Sequence, residues 1–402
     1  CRPGRSDIIA LEVLFLDIGK IVRALVDRPL QREENHSLIN RRKEIRSLEL
    51  LIKYQPFGIF GISGETGIGK TTVLNVLDSG NIKKLSVSLI HRDNRETILY
   101  DLLFSLSNVL KKDSSGKVSA TAKGTEEWIV EQVSIIKGAS LGVSLFGSGG
   151  VSIEKQKMPR FNVFAAHEKL RTLLETLVMN YGKVLLVIDE LDKESKQDVI
   201  SVLDSLKLEL QQDKLMVLFS LPYGIYRDYR QDRMKWNESG NLENVIKDVV
   251  FLSELTDSDI KELLLKRLGN LTSWFRPESL EPIVSFADGN PRDALWIAQK
   301  VVFDNAGAKF ISVSDANESV KKIVREYMGD LALTEIQRRT LKVASDFSGN
   351  KEELLDLLKS NAIKRTTSYS TIERLTALGL LIERNGTYRI SGKAKVFLNI
   401  SQ

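Results

Sequence analysis

The sequence contains a single cysteine, Cys1, so an intrachain disulfide cannot form. Its three histidines lie far apart and have no cysteine neighbours, which argues against a zinc site. No stretch approaches the roughly 20 apolar residues that a membrane-spanning helix needs. The apolar run 8–22 is interrupted by Glu12 and Asp17 and is predicted to be an amphipathic helix. These absences favour a cytoplasmic or nucleoid-associated protein with no membrane partner.

The net charge of +5 is small, but its position in the chain is informative. Residues 331–402 contain 12 Lys and Arg against 7 Asp and Glu, so this segment alone accounts for the whole excess. A basic module on a neutral body suggests an anionic partner, for which nucleic acid is the commonest candidate. A solvated surface with a slight charge bias is the alternative interpretation.

Short apolar strands alternate with amphipathic helices over the first 250 residues. The predicted strands are 57–63, 85–90, 184–188 and 215–220. Such an alternation predicts a parallel sheet covered by helices on both faces. Residues 111–124 are expected to form a loop. Small residues and alternating apolar residues predict a Gly-rich β-hairpin over 138–154, which could connect elements or contact DNA or another subunit.

A glycine-rich loop follows the first predicted strand. Gly64–Thr71 reads GETGIGKT and fits the pattern G-x-x-x-x-G-K-[ST]. Its backbone N–H groups would cradle phosphates, Lys70 would reach the β- and γ-phosphates, and the Thr71 hydroxyl would hold Mg²⁺. The sequence therefore predicts a site for ATP or ADP with Mg²⁺. The full set predicted to bind the nucleotide here is Gly64, Glu65, Thr66, Gly67, Ile68, Gly69, Lys70, Thr71 and Thr72.

An adjacent acidic pair ends the apolar strand 184–188. Asp189 is predicted to hold the magnesium ion together with Thr71, and Glu190 to polarise the attacking water. Lys70 and Glu190 are thus the first two predicted catalytic residues.

Two further polar residues are candidates for the same site. Ser220 ends the next strand, where it would lie between the acidic pair and the γ-phosphate; an ordinary strand-end serine is the alternative. Arg292 follows Asn290 and Pro291, a favourable N-cap and first helical residue. Its side chain could therefore reach a phosphate from the first turn of a helix, although it could also be a plain surface arginine.

These four parts in this order resemble the AAA+ ATPases. The resemblance implies that Gly64–Thr71 is the Walker A motif, Asp189-Glu190 the Walker B motif, Ser220 sensor 1 and Arg292 sensor 2. It also implies that Arg41 flanks the adenine and that residues 254–328 form a helical lid. The order of ATPase, lid and C-terminal module is most similar to the initiator group, the origin-recognition ATPases of archaea and eukaryotes.

The chain departs from that family at the arginine finger. The segment 242–248, where the family usually carries it, contains no arginine, and the nearest substitutes are Arg227, Arg230 and Arg233. This departure leaves open a signalling, transposition or defence NTPase.

The C-terminal segment is predicted to be a winged helix. Two helices, 333–346 and 352–360, precede a third at 368–381 and a hairpin at 381–390 with an Asn385-Gly386 turn. In this fold the third helix enters the major groove and the wing touches the backbone. The residues predicted to contact double-stranded DNA are Lys364, Arg365, Ser368, Tyr369, Arg384 and Arg389.

The predicted fold is an α/β P-loop NTPase of the AAA+ type with a helical lid and a C-terminal winged helix. The predicted divisions are an N-terminal helix and linker, the ATPase domain, the lid and the winged helix, at 1–35, 36–253, 254–328 and 329–402. The leading hypothesis is an ATPase that binds DNA under nucleotide control. The rivals are a signalling or scaffold NTPase whose winged helix binds protein, and a remodelling motor active only as a homo- or hetero-oligomer.

Overall fold

The computed structural model describes residues 18–89, 95–141, 162–193, 195–234, 242–384 and 386–400. The chain divides into two compact units that are not consecutive in sequence. Unit 2 is the continuous stretch Arg41–Ser253, and unit 1 comprises Cys1–Asn40 with Glu254–Gln402. Within the described ranges, no helix is long and apolar enough to cross a lipid bilayer.

Unit 2 is built on five parallel strands. They are β1 (Gly58–Gly64), β2 (Lys83–Ser88), β3 (Val184–Asp189), β4 (Leu215–Leu221) and β5 (Ile246–Leu252). The order across the sheet is β2-β3-β4-β1-β5, with parallel pairing throughout. Strand β4 therefore lies between β1 and β3, although it follows both in sequence. The predicted parallel sheet is confirmed.

Helices cover both faces of this sheet. Those of unit 2 are α2 (Arg42–Tyr54), α3 (Lys70–Val76), α4 (Arg95–Leu110), α5 (Gly116–Leu141), α6 (Val163–Tyr181), α7 (Lys196–Leu210) and α8 (Tyr223–Met234). One apolar cluster joins the sheet to the helices α4 to α8, and a second joins its other face to α2 and α3. Both faces of β1, β3 and β4 are buried, which is why these strands are mainly apolar and contain no charged residue before Asp189.

Helix α5 corrects two predictions. Residues 116–124 belong to this helix, although a loop was expected over 111–124. Residues 138–141 end the same helix, although they were expected to begin the Gly-rich hairpin. The remainder of that predicted hairpin, 142–154, lies outside the described residues. The helix buries Val118, Ala122 and Ile129 among α4 and α6, so tertiary packing outweighs its three glycines.

Unit 1 contains a helical bundle and a C-terminal module. Its helices are α1 (18–24), α9 (Asp257–Leu268), α10 (Glu281–Ala287), α11 (Pro291–Asp304), α12 (Val313–Asp330), α13 (Glu335–Val343), α14 (Lys351–Ser360), α15 (Arg365–Ala377) and α16 (Gly392–Ile400). A three-stranded antiparallel sheet joins β6 (Ser348–Asn350), β8 (Thr387–Ile390) and β7 (Leu381–Arg384) in that order. The predicted hairpin over 381–390 is confirmed, with Asn385 of its turn outside the described residues.

The bundle and the module of unit 1 share one apolar core. A single cluster of buried side chains extends from Ile18 in α1 to Ala394 in α16. Helix α16 approaches the bundle so closely that a Cβ on Gly392 would lie 1.9 Å from the carbonyl oxygen of Ser285. Only glycine fits at this contact, which indicates that the bundle and the module form one packed body.

Candidate functional site

The glycine-rich loop joins the end of β1 to the start of α3. Gly67 and Gly69 have φ of 84° and 102°, in the left-handed region that glycine adopts without strain. Gly69 is the N-cap of α3, immediately before its first residue, Lys70. The loop thus has the strand–loop–helix context that phosphate binding by backbone amides requires.

The start of this loop packs tightly against the neighbouring strand. A Cβ on Gly64 would lie 2.7 Å from the carbonyl oxygen of Leu252, at the end of β5. Ile68, a residue of the loop itself, has a buried side chain. These contacts fix the position of the loop relative to the sheet.

Lys70 is buried and has three oxygen partners. Its side chain is 3% exposed, and its Nζ donates to the carbonyl oxygens of Gly64 (2.9 Å) and Glu65 (2.8 Å). The third partner is Oδ2 of Asp192, at 2.9 Å. Asp192 was not among the predicted site residues, although it lies only three positions after Asp189. This ion pair joins the loop after β1 to the segment after β3.

The acidic pair lies where β3 ends. Oδ1 of Asp189 accepts a hydrogen bond of 2.7 Å from the backbone N–H of Glu190. Glu190 has φ of 70°, a left-handed backbone that is uncommon for a residue with a side chain and that occurs preferentially at functional sites. Its Oε1 lies 2.7 Å from Nζ of Lys193, and its side chain is 43% exposed. Glu190 is therefore accessible to solvent at the end of β3.

Ser220 lies on the strand between the two motifs. It is paired with Ile62 of β1, two residues before Gly64, and follows Phe219, which pairs with Ile188 of β3. Its hydroxyl is fully buried and has no hydrogen-bond partner among the described residues. A buried hydroxyl without a partner is rare and costs stability, so it requires an explanation.

Arg41 braces the glycine-rich loop. It is buried, its Nη2 donates to the carbonyl oxygen of Ile68 (3.2 Å), and its Nη1 lies 3.5 Å from Oε1 of Glu44. Arg41 thus contacts the backbone of the loop itself. The predicted contact with the adenine stays a prediction.

Two residues of the predicted site have oxygen atoms suited to magnesium. Thr71 is in the first turn of α3, and Asp189 ends β3. Across the described ranges, no group of three or more His, Cys, Asp or Glu side chains is placed to hold a metal. Magnesium characteristically binds through one or two protein oxygens together with substrate phosphates and water. The donor set therefore fits a magnesium ion that arrives with a nucleotide.

Arg292 belongs to unit 1. As predicted, Asn290 caps α11, accepting from the N–H groups of Arg292 and Asp293, and Pro291 is the first helical residue. The guanidinium Nε lies 2.7 Å from Oδ2 of Asp27. Its predicted contact with a phosphate stays a prediction.

The three substitute arginines on α8 differ in their contacts. Arg233 donates through Nε to the hydroxyl of Tyr229 (3.1 Å) and through Nη2 to the carbonyl oxygen of Lys247 (2.9 Å). Burial raises the pKa of Tyr229, so the hydroxyl stays protonated and also donates to Lys247. Arg233 therefore links α8 to β5. Arg227 and Arg230 are exposed on the same helix.

The residues predicted to contact DNA from α15 have different environments. Lys364 and Arg365 are exposed. Nη2 of Arg365 lies 2.5 Å from Oε2 of Glu352. Tyr369 is half-buried, with Nζ of Lys351 5.0 Å from its ring centre. The DNA contact predicted for Ser368 is wrong, because Ser368 is fully buried and its hydroxyl donates to the carbonyl oxygen of Lys364 (3.1 Å). It cannot present that hydroxyl to a base.

The two arginines of the hairpin contact the helical bundle. Nε of Arg384 lies 2.7 Å from Oε1 of Glu254. Nη1 of Arg389 lies 2.8 and 2.9 Å from the two carboxylate oxygens of Asp288. Both were predicted to contact the DNA backbone, and in the structure both guanidinium groups are instead engaged with carboxylates of their own unit. These ion pairs add to the shared core that joins the module to the bundle.

Comparison with known proteins gives a family and a fold. The model of the KAP family P-loop domain matches residues 41–335. A search of curated proteins finds no similar sequence. Among solved structures, the Walker-type ATPase PABY2304 of Pyrococcus abyssi superposes with a TM-score of 0.55 at 15% identity, over 94% of this chain and 99% of that one. At this identity the likeness shows the fold alone.

Two other solved structures are less similar. The RuvB Holliday junction branch migration motor of Thermotoga maritima has a TM-score of 0.39 at 15% identity, over 93% of this chain and 98% of its own. Domain III of the replication initiation protein DnaA from the same organism has a TM-score of 0.37 at 12% identity, over 71% and 95%.

Proposed function

The chain belongs to the KAP family of P-loop domains, and from this premise we propose that it binds ATP with Mg²⁺ and hydrolyses it. The observation that carries the proposal is the ion pair between Lys70 and Asp192, which brings the glycine-rich loop to the end of β3. Release of phosphate from ATP, measured with and without Mg²⁺, tests it. The absence of turnover with Mg²⁺ at any protein concentration would contradict hydrolysis.

The residues of the glycine-rich loop and of the ends of β3 and β4 have separate roles in this proposal. The backbone of the glycine-rich loop and Lys70 bind the phosphates, and Glu190 orients and polarises the attacking water. Thr71 and Asp189 would hold a magnesium ion, which would supply positive charge to the phosphate oxygens. The unpartnered hydroxyl of Ser220 donates to the γ-phosphate or to that water.

Replacing Ser220 with alanine should separate activity from stability. Hydrolysis should fall by about 10- to 100-fold, because a hydrogen bond to the reacting groups is lost. The melting temperature should stay the same or rise, because an unsatisfied buried hydroxyl costs about 1–3 kcal/mol. Phosphate release and thermal denaturation measure the two effects.

Ser63→Ala is the matched control for this variant. Ser63 is equally buried, but its hydroxyl donates to the carbonyl oxygen of Pro222 (3.2 Å). That variant should therefore lose stability, since it leaves an acceptor without its donor. Unchanged hydrolysis in Ser220→Ala would make Ser220 an ordinary strand-end serine.

A second candidate function is DNA binding by residues 329–402 as a winged helix. The net charge of this segment supports it, as do the exposed side chains of Lys364 and Arg365 at the start of α15. With Ser368 buried and the hairpin arginines held in partly buried ion pairs, the proposed contacts reduce to Lys364, Arg365 and Tyr369. Arg365 is retained because its ion pair with Glu352 lies at the surface, where such pairs contribute little and a phosphate can replace the carboxylate. A replication-initiator role is the specific form that the sequence resemblance suggests, and it stays a prediction.

Fluorescence anisotropy of labelled duplex DNA tests this function. Lys364→Ala/Arg365→Ala should weaken binding by about tenfold at low salt. It should also reduce the slope of log affinity against log salt by about 2, because two phosphate contacts are lost. The measurement is made with ADP and with a non-hydrolysable ATP analogue, and nucleotide control requires that the two affinities differ.

Lys309→Ala/Arg325→Ala is the charge-matched control for DNA binding. It removes the same charge from exposed positions outside the module and should leave the salt slope unchanged. Equal losses in the two variants would indicate general electrostatics only. No binding by the wild type with either nucleotide would favour the scaffold alternative.

The ion pairs of the hairpin favour that alternative. Arg384 and Arg389 are the wing residues that would approach DNA, and both are engaged with the bundle. A module joined to its own chain by a shared core and two ion pairs can transmit movement of the bundle to a protein partner. ATP turnover that rises with protein concentration would further indicate an active oligomer.

A further inference from the structure

The ammonium group of Lys70 has no N–H donor to spare. It carries three donors, and three oxygens surround it at 2.8 to 2.9 Å. Two are carbonyl oxygens of the glycine-rich loop, and the third belongs to Asp192. A phosphate oxygen can therefore bind Lys70 only if one of these three partners leaves.

Asp192 is positioned specifically for this contact. It lies in a single 3-10 turn, Leu191–Lys193, which is anchored by the fully buried side chain of Leu191. The other acidic group of this segment, Glu190, is paired separately with Lys193. The Asp192 side chain is only 12% exposed, so its interaction with Lys70 is weakly screened by solvent.

Charge decides which partner leaves. The two carbonyl oxygens are part of the loop that binds the nucleotide and carry no net charge. Asp192 carries a negative charge, as the phosphates do, and like charges at one cation oppose each other. The carboxylate and the phosphate therefore compete for the same N–H donor and the same positive charge.

We propose that Asp192 lowers the nucleotide affinity of the site by holding Lys70, and that phosphate binding displaces it. This inference rests on the proposed function, because it concerns the same phosphate-binding lysine. Asp192 is thus a positioning residue that acts through Lys70. The observed affinity is the intrinsic affinity of the loop reduced by the competition.

The test is titration of a fluorescent ATP analogue and of ADP, with Mg²⁺, into the full chain. Asp192→Asn keeps the size of the side chain but removes its charge, so both nucleotides should bind about 5- to 30-fold more tightly. Asp192→Glu keeps the charge and should bind within about threefold of the wild type. Asp204→Asn, which breaks the exposed ion pair with Lys207, should change nothing.

Thermal denaturation distinguishes competition from a general structural role. Without nucleotide, the melting temperature of Asp192→Asn should be lower than that of the wild type, because only the nucleotide-free wild type contains the ion pair. At saturating nucleotide, the two melting temperatures should be equal. A purely structural role would lower both melting temperatures equally and would overturn the inference. Unchanged or weaker nucleotide binding in Asp192→Asn would also overturn it. If the wild type binds no nucleotide, the proposed function fails, and the inference fails with it.

Discussion

Replacing Lys70 with alanine should abolish measurable ATP binding. The side chain supplies a buried ammonium group that contacts the glycine-rich loop directly. Charge-assisted hydrogen bonds contribute about 1.5–3 kcal/mol each, so losing the bond to the phosphate together with at least one of the two that hold the loop should weaken binding by at least about 100-fold. Isothermal titration calorimetry with ATP and Mg²⁺ measures the effect.

A second variant guards against loss of the fold. Lys70→Ala alone leaves the largely buried Asp192 carboxylate without its cation, which is destabilising. Lys70→Ala/Asp192→Ala removes both charges and should restore the melting temperature without restoring ATP binding. Tight ATP binding by either folded variant would show that the glycine-rich loop is not the nucleotide site.

Replacing Glu190 with glutamine should leave ATP binding intact and reduce hydrolysis by at least about 100-fold. The amide has the size of the carboxylate but cannot accept a proton from the attacking water, and general-base catalysis contributes about 10²- to 10⁴-fold. Glu190 lies beside Asp189 at the end of β3, and its solvent-exposed carboxylate is accessible to water. Single-turnover hydrolysis and a separate binding titration measure the two steps.

Glu175→Gln is the control for this substitution. Glu175 is exposed on α6 in the same unit, so the same chemical change there should leave turnover unchanged. Wild-type turnover in Glu190→Gln would show that Glu190 does not take part in hydrolysis. Weakened ATP binding in that variant would instead indicate that Glu190 contributes to the phosphate or magnesium contacts.

The buried strands were the most predictable part of the fold. Strand β3 was predicted at 184–188 and is Val184–Asp189, and β4 was predicted at 215–220 and is Leu215–Leu221. Both are continuous apolar runs because both of their faces are covered, and glycines or polar residues mark their ends. The glycine-rich loop was equally predictable from the sequence, since its left-handed backbone at Gly67 and Gly69 favours glycine.

Helix α5 could not be predicted in the same way. Its first turns are rich in glycine, serine and threonine, which have low helix propensity. Its helical state depends on the burial of Val118 and Ile129 against α4 and α6, and these contacts are not visible in local sequence. The predicted loop and hairpin were therefore local interpretations of a segment that tertiary packing determines.

The ion pairs between charged residues could not be predicted from local sequence either. Arg389 and Asp288 are 101 residues apart, and Lys70 and Asp192 lie on loops after different strands. Neither pair produces a pattern that could be recognised before the fold is known. The burial of Ser368 could have been predicted from the sequence, because Ser368 lies four residues before Ile372 and so shares its buried helical face.

The discontinuity of unit 1 has a consequence for synthesis on the ribosome. Unit 2 is one continuous stretch, so all of it has been made once Ser253 is added, and the nucleotide site can form then. Ile21 and Leu25, by contrast, are buried in the same cluster as Ala394. The apolar face of α1 must therefore wait, while the whole of unit 2 is synthesised, for the later residues of unit 1 that share its core. During that interval, this apolar face is exposed and prone to aggregation.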